Sequence, residues 1–256
     1  MTFLSKVREA FAGGSGPTGP DGYRAYAVGD VHGRLDLLEI LLAKIEADIA
    51  SRPRSENFII FLGDLIDRGP DSAAVVERLR TYGFGDATTV FLSGNHEEVM
   101  LRILAGERGG LLADWLKFGG AECLTSYGLD PAALATKGEA AALKAIKAAI
   151  PRAHAEFLAS FADTFHFGDY LFVHAGIRPG LEIADQSQTD LRWIREPFLE
   201  DEKDHGFIVV HGHTISSKAE ERPNRIGLDT GAYRTGVLTA LAVEGAERKF
   251  LDTAPD

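Results

Sequence analysis

Hydrophobic and polar positions along the first part of the chain follow two alternating periodicities. Runs of apolar residues predict strands near 26–28, 58–62 and 89–92. Between the first two runs, a helix from about 35 to 50 is predicted by apolar residues at helical spacing, which are Leu37, Leu38, Leu41, Leu42 and Ile45. A second helix is predicted at 73–81. This alternation indicates a sheet with parallel strands and helical cover.

The middle of the chain has a different pattern. From 99 to about 163 it is rich in Ala, Leu, Lys and Glu and is interrupted by glycines, which predicts a helical insertion. Short strands are then predicted at 164–167, 170–173, 207–210, 225–228, 236–243 and 248–251. We therefore expect an α/β protein built on a two-sheet β-sandwich flanked by helices, rather than an open doubly wound sheet.

Length and composition favour one catalytic domain. The chain has 256 residues, and 45% of them are hydrophobic, which is ample for a continuous core. Residues 1–22 are predicted to be a short amphipathic segment followed by a flexible or turn-rich Gly/Pro tether. The domain proper is expected to occupy 23–256, including the insertion.

Charge and cysteine content exclude several classes of function. The formal net charge is −11, and no stripe of Lys or Arg could follow a nucleic-acid backbone, so nucleic-acid binding is not expected. Neither a signal peptide nor a membrane span is predicted, because the start is mixed and no apolar run reaches about 18 residues. Cys123 is the only cysteine, so no intramolecular disulfide can form, and a reducing cytoplasm is expected.

Clusters of polar residues follow the predicted strands. They are Gly-Asp-Val-His-Gly at 29–33, Gly-Asp-Leu-Ile-Asp-Arg-Gly at 63–69, Gly-Asn-His-Glu at 94–97, Val-His-Ala-Gly at 173–176 and His-Gly-His-Thr at 211–214. A single Asp-Gly at a strand end is usually only a turn. Five clusters in order instead predict convergence at one sheet edge, and their Asp, His and Asn ligands suit Mn²⁺, Fe²⁺ or Zn²⁺.

In this order the clusters resemble the signature motifs of the bacterial phosphoprotein phosphatase family. This family is part of the calcineurin-like metallophosphoesterase superfamily. Leu-Asp-Thr-Gly-Ala at 228–232 adds a match to the terminal strands of bacterial members. The resemblance implies a β-sandwich flanked by helices, with two divalent metal ions at one edge and Mn²⁺ favoured. Asp64 is implied to bridge the two ions, and the remaining implied ligands are Asp30 and His32 for the first and Asn95, His174 and His213 for the second.

The choice between two neighbouring histidines rests on the motif. His213 occupies the Gly-His-Thr position and is preferred as the ligand, whereas His211 lies one step before the glycine. His211 is interpreted as structural, with a role in orienting a ligand as the alternative.

The resemblance also implies a mechanism. A hydroxide that bridges the metals attacks the phosphorus directly, without a covalent enzyme intermediate. His96 is implied to be the general acid and Asp67 the carboxylate that orients it. Arg68 and Arg195 are implied to bind the substrate phosphate, with Arg192 a competing candidate for Arg195. Two further residues are left open: Tyr233 either borders the site or packs, and Glu97 is expected to support the site rather than bind metal.

Three functions are compatible with these residues. The preferred one is a phosphomonoesterase for phosphoserine and phosphothreonine in proteins, with phosphotyrosine and small esters as further substrates. The alternative is a dinucleoside polyphosphate hydrolase, because bacterial relatives with that activity share nearly the same motifs. A catalytically inactive binding module is the third, although every matched position is filled. Substrate choice is assigned to segments 99–161 and 177–190.

Overall fold

The computed structural model describes residues 16–81, 83 and 85–255, so most of the N-terminal segment predicted at 1–22 lies outside the described residues. The described end of this segment is anchored to turns of both sheets. The Thr18 N–H donates to Oδ2 of Asp169 at 2.8 Å, and the Gly19 N–H donates to the Gly245 carbonyl at 2.8 Å. Residues 18 and 19 are therefore held to the body of the domain.

The strands form two five-stranded sheets. In chain order they are β1 (Tyr23–Val28), β2 (Glu56–Phe61), β3 (Thr88–Phe91), β4 (Thr164–Phe167), β5 (Tyr170–Val173), β6 (Ile208–His211), β7 (Glu220–Glu221), β8 (Arg225–Gly227), β9 (Thr239–Glu244) and β10 (Glu247–Asp252). The first sheet has the order β10-β9-β1-β2-β3 and the second β4-β5-β6-β8-β7. Strands β1, β2 and β3 are parallel, as are β5, β6 and β8, so each sheet brings three carboxyl ends to one edge.

The two sheets pack face to face, which confirms the predicted sandwich. Successive side chains of a strand point to opposite faces, and β1 shows this directly. Ala25 and Ala27 join the core between the sheets, together with Phe172 and Val210 of the second sheet. Tyr26 and its neighbours of the same parity pack instead against helices.

Helices α1 (Leu35–Ser51) and α2 (Ser72–Thr81) cover the outer face of the first sheet. The buried apolar residues of α1 are the five predicted from helical spacing, Leu37, Leu38, Leu41, Leu42 and Ile45. On the second sheet, the outer face is covered by α9 (Gln188–Trp193), whose Leu191 is buried there. A short helix, α10 (Ala232–Thr235), follows β8.

The predicted insertion is helical but begins earlier than expected. It contains α3 (Asn95–Leu104), α4 (Leu111–Trp115), a kinked turn (Leu116–Gly120), α5 (Ala121–Ser126), α6 (Pro131–Ala135), α7 (Glu139–Ala149) and α8 (Arg152–Ala159). Helix α3 begins at Asn95, where Glu97 in its first turn accepts the backbone N–H of the N-cap residue Gly94 at 3.0 Å. Three motif residues that were expected in a strand-end loop, Asn95, His96 and Glu97, thus belong to a helix.

The insertion shares its core with the first sheet. The ring of Phe91 on β3 lies 4.9 Å from Phe157 of α8 and 5.2 Å from Phe161, centroid to centroid. The insertion is therefore packed onto the sandwich and is not a separate unit. Within the described ranges, no helix is long and apolar enough to cross a membrane.

Candidate metal centre and active site

The predicted metal ligands lie on loops that leave neighbouring strand ends. Asp30 and His32 follow β1, Asp64 follows β2, and Asn95 opens α3 after β3. The second sheet contributes His174 after β5 and His213 after β6. The parallel pairing of these strands places all of the loops at one end of the sandwich.

The backbone of these loops is unusual. In the described part of the chain, the non-glycine residues with positive φ are His32, Asp64, Asp67, Arg68 and His213, with φ between 46° and 72°. Residues other than glycine seldom adopt this left-handed backbone conformation, which costs roughly 1–2 kcal/mol per residue. All five are predicted site residues, so backbone strain is concentrated where the chemistry is predicted.

Two glycines permit close approach of the loops. A Cβ at Gly212 would lie 2.0 Å from Oδ1 of Asp30, and one at Gly94 would lie 2.2 Å from Oδ1 of Asp64. Any larger residue would therefore displace a predicted metal ligand.

The ligand atoms form two groups that share Asp64. One contains His32, Asp64 and His96, the other contains Asp64, His174 and His213, and within each group the atoms lie within 4.8 Å of one another. Oδ2 of Asp64 lies 3.6 Å from Nε2 of His32 and 3.5 Å from Nε2 of His174. This arrangement is consistent with the predicted bridging position of Asp64.

The donor chemistry of the second group fits a cation. Nδ1 of His174 lies 2.9 Å from the Leu62 carbonyl, which can only accept, so Nδ1 carries the proton. Nε2 of His174 then carries a lone pair. This atom lies 3.0 Å from Oδ1 of Asn95 and 3.5 Å from Oδ2 of Asp64. Among the described residues, Nε2 of His213 is buried without a hydrogen-bond partner. A divalent cation would satisfy these converging lone pairs.

Burial tunes the protonation of the same residues. Burial alone would raise the pKa of Asp64, but the imidazoles of His174, His96 and His32 hold that pKa well below its usual range. Burial, reinforced by His174, lowers the pKa of His213 to about 3, and burial also lowers the pKa of His32 and His174. Metal binding requires ionised carboxylates and neutral imidazoles, and these shifts favour that state for Asp64, His32, His174 and His213.

Asp30 lies beside the two groups but belongs to neither. Its carboxylate accepts the His213 N–H at 3.0 Å. Burial and the neighbouring carboxylates of Asp229 and Asp64 raise the pKa of Asp30 well above its usual range. A cation between these carboxylates would relieve that repulsion.

Asp229 was given no role from the sequence. It follows β8, and it is buried with Oδ2 unpartnered among the described residues, whereas Oδ1 accepts the Gly231 N–H at 2.8 Å. Burial raises the pKa of Asp229 to about 6. The signal was available, because Asp229 follows a predicted strand just as the assigned ligands do.

The side chains of His96 and Asp67, the predicted general acid and its orienting carboxylate, lie in hydrogen-bond contact. Nδ1 of His96 lies 2.6 Å from Oδ2 of Asp67, and Oδ2 also accepts a 2.7 Å hydrogen bond from the indole of Trp115. Burial opposes the charged form of His96, but Asp64 and Asp67 outweigh it and raise the pKa of His96. Trp115 was also missed from the sequence, where nothing distinguishes it from a core tryptophan of the insertion.

Arg68 spans the two imidazoles of the first group. Its guanidinium donates to Nε2 of His32 at 2.8 Å and lies 3.0 Å from Nε2 of His96. Its Cζ lies 4.9 Å above the ring of Tyr233, which itself packs edge-on against His32. Tyr233 therefore borders the site, as one of its two predicted alternatives had it.

The two candidate arginines near α9 have different surroundings. Arg195 lines a cavity of about 430 Å³ together with Arg68, Asn95, His96 and His213. Arg192 instead pairs with Asp163 at 2.6 Å and with Glu98 at 3.4 Å. The cavity over the candidate metal ligands is thus lined by Arg195, while Arg192 is held in ion pairs.

The two residues assigned supporting roles lie inside the protein. Glu97 accepts the backbone N–H groups of Asp64 at 2.9 Å and Leu65 at 2.8 Å, so it fixes the loop that bears the shared ligand. His211 is the last residue of β6, with its ring 5.1 Å from Phe198, and burial lowers its pKa to about 4. Its Nδ1 lies 3.0 Å from the Gly212 carbonyl, whereas its Nε2 has no hydrogen-bond partner among the described residues, so the structural interpretation of His211 stays a prediction.

The two segments expected to select substrate are placed differently. The insertion contributes Leu111, Asp114, Trp115 and Phe118 to the cavity over the site. Residues of 177–190 line another cavity, of about 250 Å³, with Asp201 and His205. Of the two, only the insertion lines the candidate active-site cleft.

A sandwich with two carboxylate- and imidazole-rich ligand groups at the strand ends defines the chain as a metallohydrolase of the phosphoesterase class. The chain belongs to the calcineurin-like phosphoesterase family, whose model matches residues 23–236.

Similar proteins include tetraphosphatases that match most of the chain and others that match about a third of it. The chain is 24% identical over 276 residues, 90% of this chain and 96% of the relative, to a symmetrical bis(5'-nucleosyl)-tetraphosphatase from Dechloromonas aromatica. It is 41% identical over 83 residues to the symmetrical enzyme of Hamiltonella defensa, a match that spans 32% of this chain and 27% of that protein. An asymmetrical bis(5'-nucleosyl)-tetraphosphatase, PrpE, from Anoxybacillus flavithermus is 24% identical over 84% of the chain and 88% of its own length.

Solved structures share the fold. A protein described as a candidate diadenosine tetraphosphatase superposes with a TM-score of 0.64 at 21% identity, covering 93% of this chain and 96% of its own. A cold-active protein tyrosine phosphatase has a TM-score of 0.52 at 16% identity, covering 96% of this chain and 82% of its own. A Saccharomyces cerevisiae serine/threonine phosphatase has a TM-score of 0.51 at 12% identity, covering 92% and 82%.

Proposed function

We propose that this chain is a two-metal phosphoesterase that hydrolyses dinucleoside polyphosphates such as diadenosine tetraphosphate. The observation that carries the proposal is the similarity to bis(5'-nucleosyl)-tetraphosphatases along 90% of the chain, together with a filled set of candidate ligands. The serine/threonine phosphatase preferred from the motifs has support only at the level of fold, from structures under 25% identical.

The ligand set supports two cations. We expect Asp64 to serve both, with Asp30 and His32 as the further ligands of one cation. We expect Asn95, His174 and His213 to bind the other cation. When bound, the two cations would supply Lewis-acid activation of water and neutralise phosphoryl charge.

The arginines support a substrate with several phosphates. Arg68 and Arg195 line one cleft but come from different elements, the loop after β2 and the segment after α9. If the lone pair of His32 binds metal, it no longer accepts the Arg68 N–H, and a phosphoryl oxygen becomes the natural acceptor. Two guanidinium groups can hold more than one phosphate of a tetraphosphate chain.

Phosphoserine and phosphothreonine hydrolysis is the second candidate, and one observation favours it. The alkoxide that leaves from a phosphoserine needs a proton, whereas a nucleoside diphosphate leaves as a stable anion. The His96–Asp67 pair, with a 2.6 Å contact, is suited to donate that proton.

A side-by-side assay tests the proposal. With Mn²⁺ added, we expect a higher kcat/KM for diadenosine tetraphosphate than for phosphoserine and phosphothreonine peptides. One water is consumed per tetraphosphate, and analysis of the products separates symmetrical cleavage to two ADP from asymmetrical cleavage to ATP and AMP. Asp64→Asn serves as the inactive control. Hydrolysis of the peptides without hydrolysis of diadenosine tetraphosphate would replace this proposal by the second candidate.

A further inference from the structure

We propose that Phe118 and Trp193 form a nucleobase subsite at the cleft, stacking the base of a nucleotide whose phosphates lie at Arg68 and Arg195. The inference rests on the proposed function for its choice of ligand. All four residues line the same cavity of about 430 Å³, a size within the range of small-molecule sites. The subsite would therefore extend the phosphate site without a break.

The exposure of the two aromatic side chains singles them out. Phe118 is 66% exposed and Trp193 is 36% exposed, whereas most large apolar side chains of the described residues are buried. Single exposed apolar residues are common. A pair that lines one cleft beside two arginines is different, because exposed aromatic faces are the platforms on which proteins stack nucleobases.

Phe118 is held next to Arg68 by the backbone. It lies in the kinked turn Leu116–Gly120, where Gly119 has φ of 114° and its carbonyl accepts the Arg68 N–H at 3.0 Å. A Cβ at Gly119 would lie 2.6 Å from the backbone nitrogen of Arg68, so glycine is required for this contact. The insertion thereby fixes an exposed ring beside Arg68, which is predicted to bind the substrate phosphate.

Trp193 is held by its indole nitrogen. Nε1 donates to Oε2 of Glu98 at 3.2 Å, and Glu98 is itself paired with Arg192 and Arg102, each at 3.4 Å. A ring fixed in this way loses little freedom when a base stacks on it. Trp193 precedes Arg195 by two residues, so this aromatic, like Phe118, lies beside an arginine.

Binding of two probes that share a diphosphate, only one of which carries a nucleobase, tests the subsite directly. In calorimetric titrations of the full chain with Mn²⁺, ADP should bind at least about fivefold more tightly than pyrophosphate, since stacking favours each base by that factor or more. Phe118→Ala and Trp193→Ala should each reduce this preference severalfold. Phe118→Tyr and Trp193→Phe, which keep an aromatic face, should retain it. Phe250→Ala removes the exposed aromatic of β10, which is 37% exposed, and should leave both the preference and the basal hydrolysis unchanged.

A kinetic ratio gives an independent readout. The ratio of kcat/KM for diadenosine tetraphosphate to that for inorganic tetrapolyphosphate should fall at least about fivefold in Phe118→Ala and Trp193→Ala. If the wild type fails to cleave diadenosine tetraphosphate but prefers ADP through these two rings, the proposed function fails and the subsite stands. Equal affinities for ADP and pyrophosphate in the wild type, or alanine variants that keep the preference, would overturn the subsite whatever the substrate.

Discussion

The indole nitrogen of Trp115 donates a 2.7 Å hydrogen bond to Oδ2 of Asp67, the same oxygen that lies 2.6 Å from Nδ1 of His96. Trp115 belongs to α4 of the insertion and is only 3% exposed. The insertion therefore holds the predicted acid pair in place as well as lining the cleft. We therefore expect an exchange of the whole insertion to disturb the chemistry along with the specificity.

Replacing Trp115 tests this positioning role. Trp115→Phe keeps the ring but removes the donor, so we expect kcat on a phosphoserine peptide to fall about three- to tenfold, a fraction of the 10²–10⁴-fold that a general acid contributes. The loss on p-nitrophenyl phosphate should be smaller, because that leaving group needs less protonation. Leu112→Ala loosens the same helix without removing this hydrogen bond, and it should produce no such leaving-group bias. Equal losses on both esters in Trp115→Phe would assign the residue a packing role alone.

Asp64 is the ligand whose loss should be most severe. It is shared by the two groups, so Asp64→Asn should deplete both ions and abolish turnover, whereas His32→Ala and His213→Ala should each weaken one site more than the other. Metal analysis after dialysis against Mn²⁺ checks this together with activity. Wild-type turnover in Asp64→Asn with two ions bound would contradict the shared role, as would a wild type that saturates at one ion.

A glycine that contacts the site offers a more subtle change. In Gly212→Ala the new Cβ would lie 2.0 Å from Oδ1 of Asp30, so the carboxylate must move. We expect at least about a tenfold loss of activity and weaker metal binding, since displaced metal supports typically cost 10–100-fold. Gly138→Ala is the matched control, because nothing lies within 4 Å of its Cβ and its φ is −62°. Full activity in Gly212→Ala would show that Asp30 can shift without consequence.

Much of the fold follows from sequence periodicity, because burial on one face imposes it. The apolar positions of α1 were predicted individually, and alternation along β1 explains why Ala25 and Tyr26 enter different cores. The start of α3 was misplaced because the Glu97 side chain stabilises it through contacts that include the distant residues Asp64 and Leu65. Such long-range hydrogen bonds leave no local pattern.

The candidate site was predictable only where a short polar motif follows a predicted strand. Every residue assigned from the strand-end clusters lies at one edge of the sandwich, yet their roles stay predictions until tested. Trp115 could not be found because a buried tryptophan in an insertion has the sequence signature of core packing. Distinguishing Arg195 from Arg192 required the ion pairs of Arg192 with Asp163 and Glu98, which join segments far apart in the chain.

The fold itself has a titratable ion pair far from the metal ligands. Arg24 is fully buried and donates to Glu244 at 2.7 Å and 2.8 Å, and this pairing lowers the pKa of Glu244 to about 2. Above about pH 5 the carboxylate is ionised in both states and the pair stabilises the fold. As the pH falls from about 4.5 towards 2, the unfolded chain takes up the proton first, so the contribution is lost.

Glu244→Gln should therefore lower the free energy of unfolding by about 1–2 kcal/mol at pH 7 and by progressively less towards pH 3. Urea unfolding at several pH values measures this difference. Glu247→Gln is the control, because that side chain is 65% exposed and lies 3.5 Å from Arg52. A deficit in Glu244→Gln that is independent of pH would mean that the carboxylate charge is not what stabilises the pair.

The leaving-group dependence of His96 variants separates a general acid from a metal ligand. His96→Asn should retain both ions and lose about 10²–10⁴-fold on a phosphoserine peptide, because the alkoxide must be protonated as it leaves. The loss on p-nitrophenyl phosphate and on diadenosine tetraphosphate should be much smaller, since both leaving groups are stable anions. Asp67→Asn should show the same bias more weakly, because the imidazole remains but is less well oriented.

Nε2 of His96 lies 3.9 Å from Oδ2 of Asp64, within a group that could itself hold a cation. Equal losses on all three substrates, accompanied by depleted metal, would therefore identify His96 as a ligand and leave the proton donor to be found elsewhere. Metal analysis beside the three assays decides between these outcomes, because an acid and a ligand differ in what remains bound when the imidazole is removed.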